Sequence, residues 1–237
     1  MNNKKAKQIA LKEKHRELLK TKRRKEPTLE RQQPSLNEKP TILIVCEGEN
    51  TEPSYFRQFK LSSATIKPIG EGHNTLSLVK RTIQLSKEDI YQQVWCVFDA
   101  DPKKDNPKQL QNFNSAIQLA QKNGFGIAYS NQAFEYWIIL HFEDHQGGGM
   151  DRGDYDKKLN KLLNPFGLEY DGKGTKVITE EMFEILDGID HKTSTPRVDI
   201  AIKRAERNYD MFDHSNPGVE ESSTTVFKLV VELMKYL

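Results

Sequence analysis

Two short acidic strings, each closing an apolar run, carry the strongest chemical signal in the chain. Thr41-Ile42-Leu43-Ile44-Val45-Cys46 leads into Glu47 and Gly48, and Val94-Trp95-Cys96-Val97-Phe98 leads into Asp99, Ala100 and Asp101. A short apolar run rich in β-branched residues predicts a buried strand, and open α/β sheets bind their ligands beyond the carboxyl ends of such strands. Asp99 and Asp101 stand two apart, so an extended backbone projects both from one face. Three carboxylates gathered there would repel one another unless a cation lay between them. Hard divalent cations such as Mg²⁺ or Mn²⁺ take oxygen ligands and need few of them from protein. That donor set suits metal-assisted phosphoryl transfer, in which the cation offsets developing negative charge. Glu47, Asp99 and Asp101 are therefore expected as catalytic groups and metal ligands, and Gly48 as a point of close backbone approach to substrate. The structural alternatives are a surface turn at Glu47-Gly48 and an Asx turn before Pro102.

Further candidates lie downstream. Residues 133–142 predict a helix carrying Glu135 near its start and His141 near its end. Glu135 would share the sheet edge with Glu47 and Asp99, or serve as an acidic charge at a helix N-terminus. His141 reads as a general base or substrate contact, or as a satisfied core histidine. Asn131 suits a helix cap first and a phosphate contact second. His73 and Asn74 sit between glycines and a predicted helix, but their spacing fits no P-loop. Arg204 groups with Arg197, Lys203 and Arg207 on a late amphipathic stretch, as a nucleic-acid groove or as a solvated face.

The longer strings carry a family resemblance. Glu-Gly after one strand and Asp-x-Asp after a later one resembles the topoisomerase–primase (Toprim) catalytic fold. Val45-Cys46-Glu47-Gly48-Glu49-Asn50-Thr51-Glu52-Pro53-Ser54-Tyr55-Phe56 and Ser130-Asn131-Gln132-Ala133-Phe134-Glu135-Tyr136-Trp137-Ile138-Ile139-Leu140-His141-Phe142 are similar to the two signatures of the RloB family of phage-defence proteins. Asn216-Pro217 leading to Thr224-Thr225-Val226 also looks RloB-like, with no chemistry attached. The resemblance covers roughly residues 40–236. It implies a Mg²⁺- or Mn²⁺-dependent nuclease acting as effector of a prokaryotic antiviral system, on RNA with transfer RNA as the candidate substrate, and with a DNA nuclease or nickase of the same fold as the alternative. It also implies an ABC-type ATPase partner. In the Toprim pattern an acidic residue often follows the first Glu by four positions. Here that position is Thr51, which leaves the second acid open between Glu49 and Glu52. A non-catalytic binding module is a separate reading. A topoisomerase is disfavoured, because no tyrosine is well placed as nucleophile. Expected partners are nucleic acid, the ATPase and further copies of the chain.

The elements that must position these groups follow from pattern and charge. The 237 residues have a mean hydropathy of −0.74, and no apolar run approaches the roughly 20 residues of a membrane span. The N-terminus lacks the apolar stretch of a secretory signal. Cys46 and Cys96 fall inside predicted core strands, as reduced structural thiols of a cytoplasmic protein. The near-zero net charge of +2 hides an asymmetry. Residues 1–40 hold 13 Lys and Arg against 5 Glu, a net +8, so residues 41–237 carry −6. The first 40 residues read as a disordered basic arm and linker, suited to phosphate contacts. Strands are expected at 41–46, 64–69, 94–98 and 125–130, the second at an edge because of Pro68. Helices are expected at 53–62, from about 75 to 85, and at 108–123 and 133–142. This alternation predicts an open, mostly parallel four-stranded Toprim-like sheet flanked by helices over 41–143. A helical extension over 144–237 completes the domain, with stretches near 154–163, 179–186, 196–212 and 221–236.

Overall fold

β-Branched apolar residues fill the pleated surface of a strand well, and the sheet is built around the run that begins at Thr41. The computed structural model describes Lys12, Glu13, Glu17 and residues 39–237 apart from 73, 101–106, 147, 149 and 151, with only the backbone of Pro107 and Arg152. The expected basic arm falls almost wholly outside the described residues, as does Asp101. Strand β1 is Thr41–Cys46, buried from Ile42 onward. It is followed by α1 (Thr51–Arg57), β2 (Thr65–Gly70), α2 (Thr75–Leu85), β3 (Gln93–Asp99), α3 (Pro107–Lys122), β4 (Gly126–Asn131) and α4 (Glu135–Leu140). The strands align in the order β2-β1-β3-β4, all parallel. Pro68 lies on β2, the edge strand, where its missing N–H breaks no ladder.

Alternation along β1, β3 and β4 feeds two cores. Leu43, Val45, Cys96, Phe98 and Tyr129 pack with Leu78 and Val79 of α2 and Phe113, Ala116 and Ile117 of α3. Ile42, Ile44, Cys46, Val97 and Ala128 face the opposite way, against Tyr55 and Phe56 of α1 and the apolar residues of α4. Coverage on both faces explains why these strands read as continuous apolar runs. Cys46 and Cys96 are buried and free, and burial raises both thiol pKa values, that of Cys96 to about 11.

Beyond residue 143 the chain forms α5 (Arg152–Leu163), α6 (Glu180–Asp187), a small β5–β6 ribbon (Ile189–Asp190 with Thr195–Pro196), α7 (Arg197–Tyr209) and α8 (Val226–Met234). The four expected helical stretches are all present. The sheet itself differs from expectation, because it has a fifth strand. β7 (Ser223–Thr224) pairs antiparallel with the end of β4, Ser130 facing Thr224 and Asn131 facing Ser223. Two residues are too few for a period-2 pattern to show. No helix among the described residues is long and apolar enough to cross a membrane.

Candidate active site

The carboxyl ends of β1 and β3 form the floor of an open cleft of about 360 Å³. Glu47 extends β1 by one ladder bond, its N–H donating to the Val97 carbonyl at 2.8 Å. This fixes the side chain beside the neighbouring strand. Its carboxylate accepts from the Asp99 backbone N–H at 3.4 Å and from the Thr75 hydroxyl, at the start of α2, at 3.2 Å. Asp99 closes β3 and is 9% exposed. Glu47 and Asp99 thus stand together at one edge.

Three more carboxylates line the same cleft. Glu52, in the first turn of α1, is 5% exposed and accepts from the Gly48 N–H at 3.2 Å. A side chain at position 48 would collide with that carboxylate, so glycine keeps the contact open. Glu49 also lines the cleft but is solvent-exposed. Of the two candidates for a second acid, Glu52 is the one already held in place. Glu135 begins α4 and is 5% exposed. Its Oε1 accepts from the Tyr170 hydroxyl at 2.7 Å, and that hydroxyl stands 2.9 Å from Thr51 Oγ1. Burial, followed by the negative charge of Glu135, pushes the Tyr170 phenol pKa well up. Tyr170 therefore stays protonated and donates, leaving Thr51 to donate to Tyr170.

Among the described residues, one cation lines the cleft. Lys176 lines the cleft at a left-handed φ of +52°, a conformation that costs a non-glycine residue on the order of 1 kcal/mol. Asp171 enforces it by accepting from the Gly174 and Thr175 N–H groups at 2.8 and 2.9 Å. An all-oxygen donor set beside one lysine fits a hard divalent cation together with a phosphate. Among the described residues no group of three or more His, Cys, Asp or Glu side chains is arranged to hold a metal ion. The third expected ligand, Asp101, lies outside them.

The sequence profile of the RloB-like protein family matches residues 42–233, most of the chain. The chain belongs to the RloB-like family. No curated protein and no solved structure matches it. In this RloB-like protein Glu47, Gly48, Asp99 and Glu135 share one cleft, whereas three other expected site residues lie elsewhere. Asn131 is fully buried at the end of β4, donating from Nδ2 to the Pro217 carbonyl at 3.0 Å. It caps no helix, because α4 begins later, with Phe134 at its cap. His141 is 1% exposed, with Nδ1 3.0 Å from the Trp137 carbonyl and its ring edge-on to Trp137. Burial lowers its pKa to about 4, so it is a neutral core residue. Arg204 donates to the Leu140 carbonyl at 2.7 Å, where a cation suits the C-terminal end of α4.

Two of the neighbours of Arg204 are also fasteners, whereas Lys203 is exposed. Arg197 is buried, donating to the Ile185 carbonyl, and Arg207 pairs with Asp144. Asn74 does cap α2, accepting from the Ser77 N–H at 3.2 Å, and it lines the cleft. His73 lies outside the described residues. Sequence reasoning missed Thr75, Tyr170 and Lys176. The only signal for any of them was the polar start of a helix at Thr75.

Proposed function

We propose that this RloB-like protein is a metal-dependent phosphodiester hydrolase of the Toprim type, an endonuclease that cuts RNA as the effector of a cytoplasmic antiviral system. The observation that carries this reading is the convergence of Glu47, Glu52, Asp99 and Glu135 on one cleft at the carboxyl edge of a parallel sheet. Carboxylates so placed, and so little exposed, make sense where a cation and a phosphate share the site. When bound, Mg²⁺ or Mn²⁺ would supply positive charge against the scissile phosphate. Glu47 and Asp99, with Asp101 as expected from the sequence, would hold it. Glu47, oriented by Thr75 and the Asp99 amide, is also placed to manage the proton of an attacking water. Tyr170 fixes Glu135 in a single orientation towards the cleft. Lys176 and Asn74 offer donors to substrate phosphates. Transfer RNA is the first substrate to test, and an ABC-type ATPase is the partner that the family resemblance suggests.

The test is direct. Purified protein is incubated with labelled transfer RNA, unstructured RNA and duplex DNA, with and without Mn²⁺. The wild type should cut RNA only with the metal, and Glu47→Ala should cut at least about a hundredfold more slowly. A folded Glu47→Ala protein that cleaves at the wild-type rate would overturn the reading. Cleavage of DNA alone would replace the substrate and keep the chemistry.

A further inference from the structure

The RloB-like stretch from Asn216 to Val226 has no role in the acidic cleft, yet it builds one wall of a second pocket. This pocket of about 250 Å³ lies between α3, the outer face of β4, the loop before Pro217 and the start of α8, and it shares no lining residue with the cleft. Its cationic end is organised around Tyr209. The His214 imidazole stacks on that ring at 3.7 Å between centroids and 13° between planes. Lys228 Nζ lies 3.9 Å from the centroid of the same ring, which puts it on the opposite face. The Nδ1 atom of His214 is 3.0 Å from Glu220 Oε2, and Glu220 is 4% exposed. That contact fixes the imidazole plane.

Several features show that the pocket is preformed. His214 adopts a left-handed φ of +61°, and such strain in a non-glycine residue gathers at ligand clamps. Asn114 of α3 ties the loop down at both ends of its amide, donating to Asn216 Oδ1 at 2.7 Å and accepting from the Gly218 N–H at 3.1 Å. Ile117 and Ile127 give an apolar floor, and the exposed amides of Gln118 and Gln121 rim it. No carboxylate is among the described lining residues. An apolar slot with amide donors and acceptors at its rim and a lysine at one end fits a planar heterocycle bearing an anion. We propose that this second pocket binds a nucleotide, with the base against Ile117 and Ile127 within reach of Gln118 and Gln121, and the phosphate at Lys228. The proposal does not depend on the hydrolase reading.

The test uses the full chain in EDTA, titrated calorimetrically with AMP, GMP, CMP and UMP and with the matching nucleosides. At least one mononucleotide should bind with a stoichiometry near one. Lys228→Gln removes an exposed charge and should weaken the nucleotide about tenfold while leaving the nucleoside nearly unaffected. Gln118→Ala with Gln121→Ala, also on an exposed face, should weaken both, and Glu47→Ala should weaken neither. Competition with a short single-stranded RNA separates the two sources. Displacement of the mononucleotide assigns the pocket to a residue of a bound strand, and its retention assigns the pocket to a free effector. The proposal fails if no mononucleotide binds at millimolar concentration. It fails equally if binding ignores both sets of pocket substitutions, or if Glu47→Ala abolishes it.

Discussion

Side chains that do the least chemistry here make the sharpest predictions. His141 is held through Nδ1 by the Trp137 carbonyl, while Nε2 is buried without a hydrogen-bond partner. Protonation would place an uncompensated charge in the core. Its folded pKa, about 4, lies below the 6.5 of the free group, so the unfolded chain binds the proton more readily. The stability contributed is present above pH 6.5 and is lost as pH falls towards 4. Urea unfolding should show a loss of about 2 kcal/mol between pH 7 and pH 5. His141→Gln should flatten that slope, and an equally steep slope in the variant would exclude His141 as its source. Tyr170→Phe removes the donor to a buried carboxylate, which should cost about 1–3 kcal/mol and lower cleavage. Thermal unfolding and the cleavage assay measure the two effects separately. At this scale, Glu47 and Asp99 were readable because each ends an apolar run. Thr75, 28 residues from Glu47, and Tyr170, 35 from Glu135, were not. Only the folded chain brings such partners together, and no local periodicity encodes them.

Elements are positioned by close approaches as much as by pattern. Gly70 ends β2 opposite Cys46, where a Cβ would lie 2.6 Å from the Glu49 Cα and 2.7 Å from the Gly48 carbonyl oxygen. Both obstacles are backbone and cannot swing aside. Gly70→Ala should therefore push the turn that carries Glu47 and Gly48, costing about 1–3 kcal/mol. Cleavage should fall by more than the loss of folded protein explains. Intact activity in a folded Gly70→Ala protein would show that the turn tolerates the shift. The strand–helix alternation, the edge position of β2 and the four later helices were legible, since each rests on periodicity or on the missing N–H of proline. β7 was not. It is held in place through hydroxyls, Thr224 donating to the Tyr129 carbonyl at 2.9 Å and the next residue, Thr225, accepting from the Tyr129 N–H at 2.9 Å. Threonines in such short strings look like any loop.

Across the whole molecule, charge is unevenly spread along the chain. Among the described residues, every member of the two apolar clusters falls between Ile42 and Tyr236, and 13 of the 36 lysines and arginines precede residue 41. Deleting residues 2–36 should leave the melting temperature nearly unchanged and weaken nucleic-acid binding. Binding measured over a salt series should also become less steeply salt-dependent, because fewer phosphate contacts release fewer counterions. A large fall in melting temperature would place those residues in the stability of the fold instead.

The position of α8 has a consequence for how the protein is made. Val226, Phe227, Leu229, Val230 and Leu233 of this helix are all buried, and β7, just before it, closes the outer edge of β4. During synthesis the parallel strands emerge first, with β4 unpaired on one side and one core uncovered until α8 is made. A ribosome that stalls or terminates before α8 therefore releases a chain with an open sheet edge, destined for proteolysis or aggregation. Folding is thereby deferred until α8 has been made, and a copy truncated before it cannot assemble the acidic cleft around a finished core.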